Sequence, residues 1–331
     1  MGPINELLKN VLIGNRASLA KAITILESKS NNKTYQLNKL SLIRSLHEAH
    51  WRKKPDTIRI AISGSPGCGK STFIESFGMN LIENEKKRVA VLAVDPSSAI
   101  RGGSILADKT RMPTLTKNAN SFIRPSPSRL HLGGVNQATG NSILMCELAG
   151  FDVVIVETVG VGQSEFEVAH LCDIFTLLVA PSAGDELQAI KKGIVEMADL
   201  TVVTKYDGDL IKAARRMRSE IRSASKYVDH NSRAPVFCVS SVTKEGINEV
   251  WSAIQEKVQS NDKLTKRQDK RLKMLRTDLI NELFEILSRN LSYEDYEKRL
   301  KETPSLSLYE LVHEIIYKDL YKILENSQRN E

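Results

Sequence analysis

Between residues 57 and 258, short apolar runs alternate with longer stretches whose apolar residues recur at helical spacing. The runs are Ile58–Ser63, Val89–Val94, Val153–Glu157, Ile174–Ala180, Leu200–Thr204 and Val236–Ser240. They are continuous and rich in β-branched residues rather than alternating, which marks strands covered on both faces. Helices between them supply the crossovers that parallel strands need. The pattern predicts an α/β domain over 56–258 with a mainly parallel central sheet. Ligands on such sheets sit beyond the carboxyl ends of the strands, so the residues that follow each run are where chemistry is expected.

Both flanks read as helix. In residues 1–55 the stripe runs through Leu7, Leu8, Val11, Leu19, Ile23, Leu26, Leu40, Ile43 and Leu46. In 259–331 it runs through Leu272, Leu275, Leu279, Leu283 and Ile286, then through Leu308, Leu311, Ile315 and Leu320. Amphipathic helices without a sheet of their own must bury the apolar face elsewhere. The central domain or a second subunit would serve.

Composition changes this picture little. With 41% hydrophobic and 26% charged residues, the 331-residue chain can build a real core. The net charge of +7 is modest. Its densest basic run, Lys263–Lys273, has no interleaved aromatics, which points to a solvated helix face rather than a nucleic-acid surface. Cys68, Cys146, Cys172 and Cys238 form no C-x-x-C pair, so neither a zinc site nor a disulfide framework is expected. No apolar run of about 18 residues is present, so no membrane span is expected. No secretory leader is visible either, and the expected location is the cytoplasm.

The strongest local signal is Gly64-Ser65-Pro66-Gly67-Cys68-Gly69-Lys70-Ser71-Thr72, which follows the first predicted strand and precedes a helix. This is the G-x-x-x-x-G-K-S phosphate loop in its required context. Glycines let backbone N–H groups wrap a β-phosphate, and the helix N-terminus adds a favourable dipole. Lys70 would neutralise β- and γ-phosphate charge, and the Ser71 hydroxyl would bind Mg²⁺. Cys68 reads as a small spacer. Asp95 and Glu157 end two predicted strands, and Asp108 lies in a loop within reach of a γ-phosphate. These acids are candidates for holding the metal or positioning water.

Thr204-Lys205-Tyr206-Asp207 follows the fifth predicted strand, where GTP-binding proteins carry N-K-x-D. The Asp207 carboxylate can accept from guanine N1–H and the 2-amino group together. Adenine offers neither donor and would leave the carboxylate unpaired. The stem of Lys205 can pack on the purine face. Ser240-Ser241-Val242, after the last strand, matches the loop that supports the base carbonyl. GTP or GDP with Mg²⁺ is the expected cofactor set.

Taken together, these residues resemble the MeaB/MMAA (ArgK-type) GTPases of the SIMIBI class. The resemblance rests on Asp95-Pro-Ser-Ser98, Gly102-Gly-Ser-Ile-Leu106, Asp108-Lys-Thr-Arg-Met112, Arg124-Pro-Ser-Pro-Ser-Arg129 and Leu132-Gly-Gly134. It continues through Glu157-Thr-Val-Gly-Val-Gly-Gln-Ser-Glu165, Gly184-Asp-Glu-Leu-Gln188, Lys191-Lys-Gly193 and Asp207-Gly-Asp209. It implies a P-loop fold and a GTP-hydrolysing chaperone of an adenosylcobalamin-dependent acyl-CoA mutase, chiefly methylmalonyl-CoA mutase. It implies Asp95 and Glu157 at Mg²⁺, Asp108 near the γ-phosphate, and a switch around Asp185 and Lys191. It also implies a homodimer built through the terminal helical extensions. One departure is expected to matter: Thr204 replaces the Asn whose amide touches both purine and phosphate loop, which weakens discrimination against ATP.

Three other readings compete. A P-loop kinase or ATPase acting on a small molecule or transport protein uses the same phosphate chemistry. A nickel-insertion GTPase would call for His-rich stretches or cysteine pairs, and neither is present. A signal-recognition GTPase would be followed by a Met-rich domain, also absent.

Overall fold

In the computed structural model the described residues are 3–28, 32–53, 55–95, 111–127, 134–158, 163–181, 192–224 and 234–259, with Arg267, Asp269, Lys270 and Leu272. Residues 1–271 form one compact unit and 272–331 a second. Apart from Leu272, the C-terminal helical stripes lie outside the described residues, as do Asp108, Asp185 and Lys191.

Seven parallel strands form the sheet: β1 (Ile58–Gly64), β2 (Val89–Asp95), β3 (Ser121–Pro127), β4 (Val153–Thr158), β5 (Ile174–Val179), β6 (Leu200–Val203) and β7 (Val236–Cys238). Their order is β3-β2-β4-β1-β5-β6-β7, with every pairing parallel. Six strands match the apolar runs. The seventh, β3, reads Ser-Phe-Ile-Arg-Pro-Ser-Pro and was expected only as a motif segment. Pro125 and Pro127 interrupt its apolar pattern, and they are tolerated because β3 is an edge strand. Strand order reverses across β1, which lies between β4 and β5, so its carboxyl end is the natural crevice of the sheet.

The helices between the strands are α4 (Lys70–Glu83), α5 (Pro113–Lys117), α6 (Gly134–Leu148), α7 (Gln163–Leu171), α8 (Lys192–Met197), α9 (Ile211–Ala224) and α10 (Ile247–Gln259). The core side of α4 presents Phe73, Phe77 and Leu81, all essentially inaccessible. Phe73 stacks on Phe77 at 5.4 Å, and Phe77 meets the edge of Trp251 from α10 at 6.1 Å. Each such buried side chain contributes about 1.5–3 kcal/mol. The helix that follows the phosphate loop is thus held from beneath by the main core.

At the N-terminus, α1 (Pro3–Leu12), α2 (Arg16–Glu27) and α3 (Lys33–Lys53) belong to the same compact unit as the sheet. Asn15 caps α2 by accepting from the Ser18 N–H at 2.9 Å. Leu19, Ile23, Leu26, Leu42 and Leu46 are buried where α2 and α3 pack on α6. No helix among the described residues is long and apolar enough to cross a membrane.

One expectation is corrected. The basic run at 263–273 is not simply a solvated face. Arg267 is largely buried and pairs with Asp173 at 2.6 Å, while its NH2 donates to Thr57 O at 2.6 Å. Lys270 Nζ donates to the carbonyls of Ala169 (3.2 Å) and Cys172 (2.5 Å). Charge density along the sequence says nothing about carbonyls and carboxylates that the fold brings to meet it.

Candidate functional site

The carboxyl end of β1 turns directly into the glycine-rich loop. Gly64 is required by close approach: a Cβ there would lie 2.4 Å from the Leu178 carbonyl oxygen and 2.8 Å from Cys68 Sγ. Gly67 and Gly69 adopt φ of +81° and +96°, which favours glycine, and a Cβ on Gly67 would meet only open space. Gly69 is the N-cap of α4 and supplies no side-chain cap to its first-turn N–H groups. Cys68 is fully buried under the loop, which fits a spacer role.

Two features of the loop point to a ligand rather than to a finished turn. Lys70 Nζ folds back onto the carbonyls of Gly64 (2.7 Å) and Ser65 (3.1 Å), acceptors that a phosphate oxygen could replace. Ser65 Oγ is buried without a hydrogen-bond partner. Beside them, Ser71 Oγ donates to Glu157 Oε1 at 3.2 Å. Glu157 pairs in register with Ile62 of β1 and Ala93 of β2. A hydroxyl and a carboxylate at this distance are oxygen donors of the kind a hard divalent cation takes, so the pair fits Mg²⁺. Asp95 ends the adjacent strand β2, and its side chain is outside the described residues.

The second half of the crevice comes from β6 and β7. Thr204 follows β6 and is 2% exposed. Its hydroxyl donates to the Cys68 carbonyl at 2.6 Å, with the Val179 carbonyl at 3.2 Å. The expectation for Thr204 therefore divides: the tie to the phosphate loop is made through the hydroxyl, while no amide is present to meet a purine. Lys205 adopts φ of +55°, and the Tyr206 N–H donates to Val239 O at 3.0 Å, fixing the loop against the end of β7. Arg215 on α9 lies over the Tyr206 ring at 5.7 Å and donates to its hydroxyl at 2.9 Å. Ser240 is fully buried and donates through Oγ to Asp207 Oδ2 at 2.5 Å. The same Oγ accepts from the N–H groups of Val242 (3.2 Å) and Thr243 (3.0 Å). Ser240 thus orients Asp207 from below and shapes the turn carrying Ser241 and the exposed Val242.

A loop with open glycines, a lysine resting on its own carbonyls and an oriented aspartate at the ends of β1, β6 and β7 together offer donors and acceptors suited to the phosphates and base of a nucleotide. The family model described as methylmalonyl Co-A mutase-associated GTPase MeaB matches residues 19–292. The chain belongs to the MeaB family of GTPases. It is 48% identical over 260 residues to the mouse methylmalonic aciduria type A homolog, mitochondrial, covering 76% of this chain and 62% of that protein. It is 42% identical over 307 residues to the Escherichia coli GTPase ArgK, covering 90% of this chain and 89% of that one. Among solved structures, a crystal structure of a LAO/AO transport system kinase superposes with a TM-score of 0.75 at 33% identity, covering 95% of this chain and 97% of that one.

Within this MeaB-family fold, the crevice brings together Gly64–Thr72, Glu157, Thr204–Asp207 and Ser240–Val242. Asp95 ends β2, which is separated from β1 by β4. Asp108, Asp185 and Lys191 lie outside the described residues. The bracing role of Thr204 was not anticipated: a hydroxyl residue directly after a strand beside the phosphate loop is a weak signal, because its acceptor, Cys68 O, is 136 residues away in sequence.

The opposite end of the sheet carries charges of another kind. The fully buried Glu147 carboxylate takes Arg59 Nε at 2.7 Å and Arg59 NH2 at 2.9 Å. It also takes His50 Nε2 at 2.5 Å, with Arg267 NH1 at 3.8 Å. Burial alone would raise its pKa. The Arg59 charge, the hydrogen bonds from His50 and Arg59, and the Arg267 charge outweigh burial and hold it at about 2.

Proposed function

We propose that this protein hydrolyses GTP to gate adenosylcobalamin loading, protection and reactivation of an acyl-CoA mutase, most directly methylmalonyl-CoA mutase. The observation that carries the nucleotide half is the juxtaposition of Asp207, held by Ser240, with a phosphate loop tied to the same crevice by Thr204. The mutase half is supported by the family description, which names a methylmalonyl Co-A mutase-associated GTPase.

In this reading Gly64–Thr72 cradles the β-phosphate through backbone N–H groups, and Lys70 leaves the Gly64 and Ser65 carbonyls to meet β- and γ-oxygens. Ser71, Asp95 and Glu157 would hold Mg²⁺, with Asp108 near the γ-phosphate to help hold the ion or position water. The ion, when bound, neutralises charge developing on the bridging and γ-oxygens. Asp207 accepts from guanine N1–H and the 2-amino group, Lys205 packs its stem on the ring, and Ser240–Val242 support the base carbonyl. Asp185 and Lys191 belong to a switch segment that answers to the mutase. The partner is the mutase, and the assembly is a homodimer using the terminal helices. The four free cysteines, three of them buried, suit the reducing cytoplasm.

The test is GTP turnover with and without purified methylmalonyl-CoA mutase, alongside mutase capture in the presence of a non-hydrolysable GTP analogue. Slow intrinsic turnover that rises on adding the mutase is expected. Absence of both stimulation and capture contradicts the mutase half. The kinase named in the related solved structure supplies the second reading. Transfer of labelled γ-phosphate to an amino acid or protein instead of water would favour it.

A further inference from the structure

Thr204 stands where a base-reading amide is expected, yet its hydroxyl is bonded to backbone carbonyls of the chain. A threonine hydroxyl has one proton to give. Here it goes to the Cys68 carbonyl at 2.6 Å, with the Val179 carbonyl as a longer second acceptor at 3.2 Å. The residue is 2% exposed, and its own N–H is bonded to Val179 O at 2.9 Å. A Cβ placed on Gly69 would be 4.0 Å from this hydroxyl, so it sits directly under the turn into α4. Purine N7 is an acceptor only, and Thr204 has no donor left for it.

Asp207 is in the opposite situation. Its Oδ2 accepts one bond from Ser240, and a carboxylate has about four lone-pair sites. Capacity for two further N–H donors remains. The Ser240 proton is directed at Asp207, because the serine oxygen already accepts from the Val242 and Thr243 N–H groups. Base reading is therefore concentrated on the N1 and 2-amino edge.

We propose that Thr204 is a positioning residue that braces the phosphate loop, and that it leaves purine N7 without a hydrogen bond from this position. Guanine selection then rests on Asp207. This deepens the guanine-nucleotide reading above and rests on it. A consequence follows for the loop. The Cys68 carbonyl is bonded to the residue after β6, so a hydrogen bond couples the phosphate loop directly to the base loop.

The experiment compares equilibrium binding of GDP, 7-deaza-GDP and IDP to the full chain with Mg²⁺. GDP and 7-deaza-GDP should bind within threefold of each other, because replacing N7 by C–H removes nothing that Thr204 supplies. IDP, which lacks the 2-amino group, should bind at least tenfold more weakly. A loss of more than threefold for 7-deaza-GDP overturns the inference. Equal binding of IDP and GDP overturns instead the Asp207 reading on which it rests. Thr204→Val keeps the branched shape and removes the hydrogen bond to the Cys68 carbonyl. It should weaken GDP and IDP alike by about fivefold, the equivalent of one hydrogen bond, with the GDP-to-IDP ratio unchanged. A shift in that ratio of more than threefold would place Thr204 at the base and contradict the bracing role.

Discussion

The two ends of the sheet use polar side chains in contrasting ways. At the amino end, Glu147, Arg59, His50, Arg267 and Asp173 bond to one another at 2.5–2.9 Å and close on themselves. At the carboxyl end, Lys70 rests on loop carbonyls, Ser65 Oγ is buried without a partner, and Gly67 faces open space. Both ends are charged and partly buried, so charge alone does not mark a functional site. The difference is completeness: at the amino end the charged groups are paired by the chain itself, whereas at the carboxyl end a lysine, a buried hydroxyl and an open glycine turn converge in one loop with acceptors and space a ligand could take.

That contrast can be broken most forcefully at Glu147. Replacing Glu147 by Ala leaves the Arg59 guanidinium without its carboxylate partner inside the protein, while Arg267 keeps Asp173, and should cost about 3–5 kcal/mol of stability. Nucleotide affinity of the folded fraction should be unchanged, and chemical denaturation paired with GDP titration reads both. The pH dependence has a definite sign. The folded pKa is held at about 2 against the ordinary 4.5. Stabilisation from Glu147 is thus full above that ordinary value and drains away as pH falls towards the folded one, where the native carboxylate is finally protonated. Glu147→Gln should flatten the acid limb of the stability curve in that window. Loss of nucleotide binding with stability intact would reverse the assignment of the two ends.

At the other end the expected effect is the mirror image. Lys70→Ala should lower GTP turnover by about 10²–10³-fold, the usual scale for removing one preorganised charge donor from a transition state. Its melting temperature without nucleotide should stay close to that of the parent chain, since all that is lost is a pair of hydrogen bonds to the Gly64 and Ser65 carbonyls. A large loss of stability without loss of turnover would show the lysine to be structural.

Much of this was legible in the sequence, and the exceptions share a cause. Continuous apolar runs located six strands because doubly covered parallel strands bury both faces. Strand β3 escaped because Pro125 and Pro127 are admissible only at an edge, and edge position is a property of the assembled sheet. The phosphate loop was readable because its glycines and lysine act within nine consecutive residues. The Glu147 cluster was not, because its members come from α3, β1, α6, the residue before β5 and the chain beyond α10. Arg267 looked like one more surface cation in a basic run, and only folding supplies Asp173 and Glu147 to it. Thr204 looked like a lost contact for the same reason, since its acceptor belongs to a distant loop.

The central claim is that Asp207 reads guanine at the carboxyl end of the sheet, and exchanging Asp207 for Asn tests it most directly. The carboxylate accepts from the 2-amino group, whereas an amide can donate to the 2-oxo group that xanthine carries there instead. Each hydrogen bond to a charged group is worth about 1.5–3 kcal/mol, so GDP affinity should fall on the order of 10–100-fold. Xanthosine diphosphate should become the better ligand. Asp207→Asn binding GDP and xanthosine diphosphate in the same ratio as the parent chain would contradict the claim.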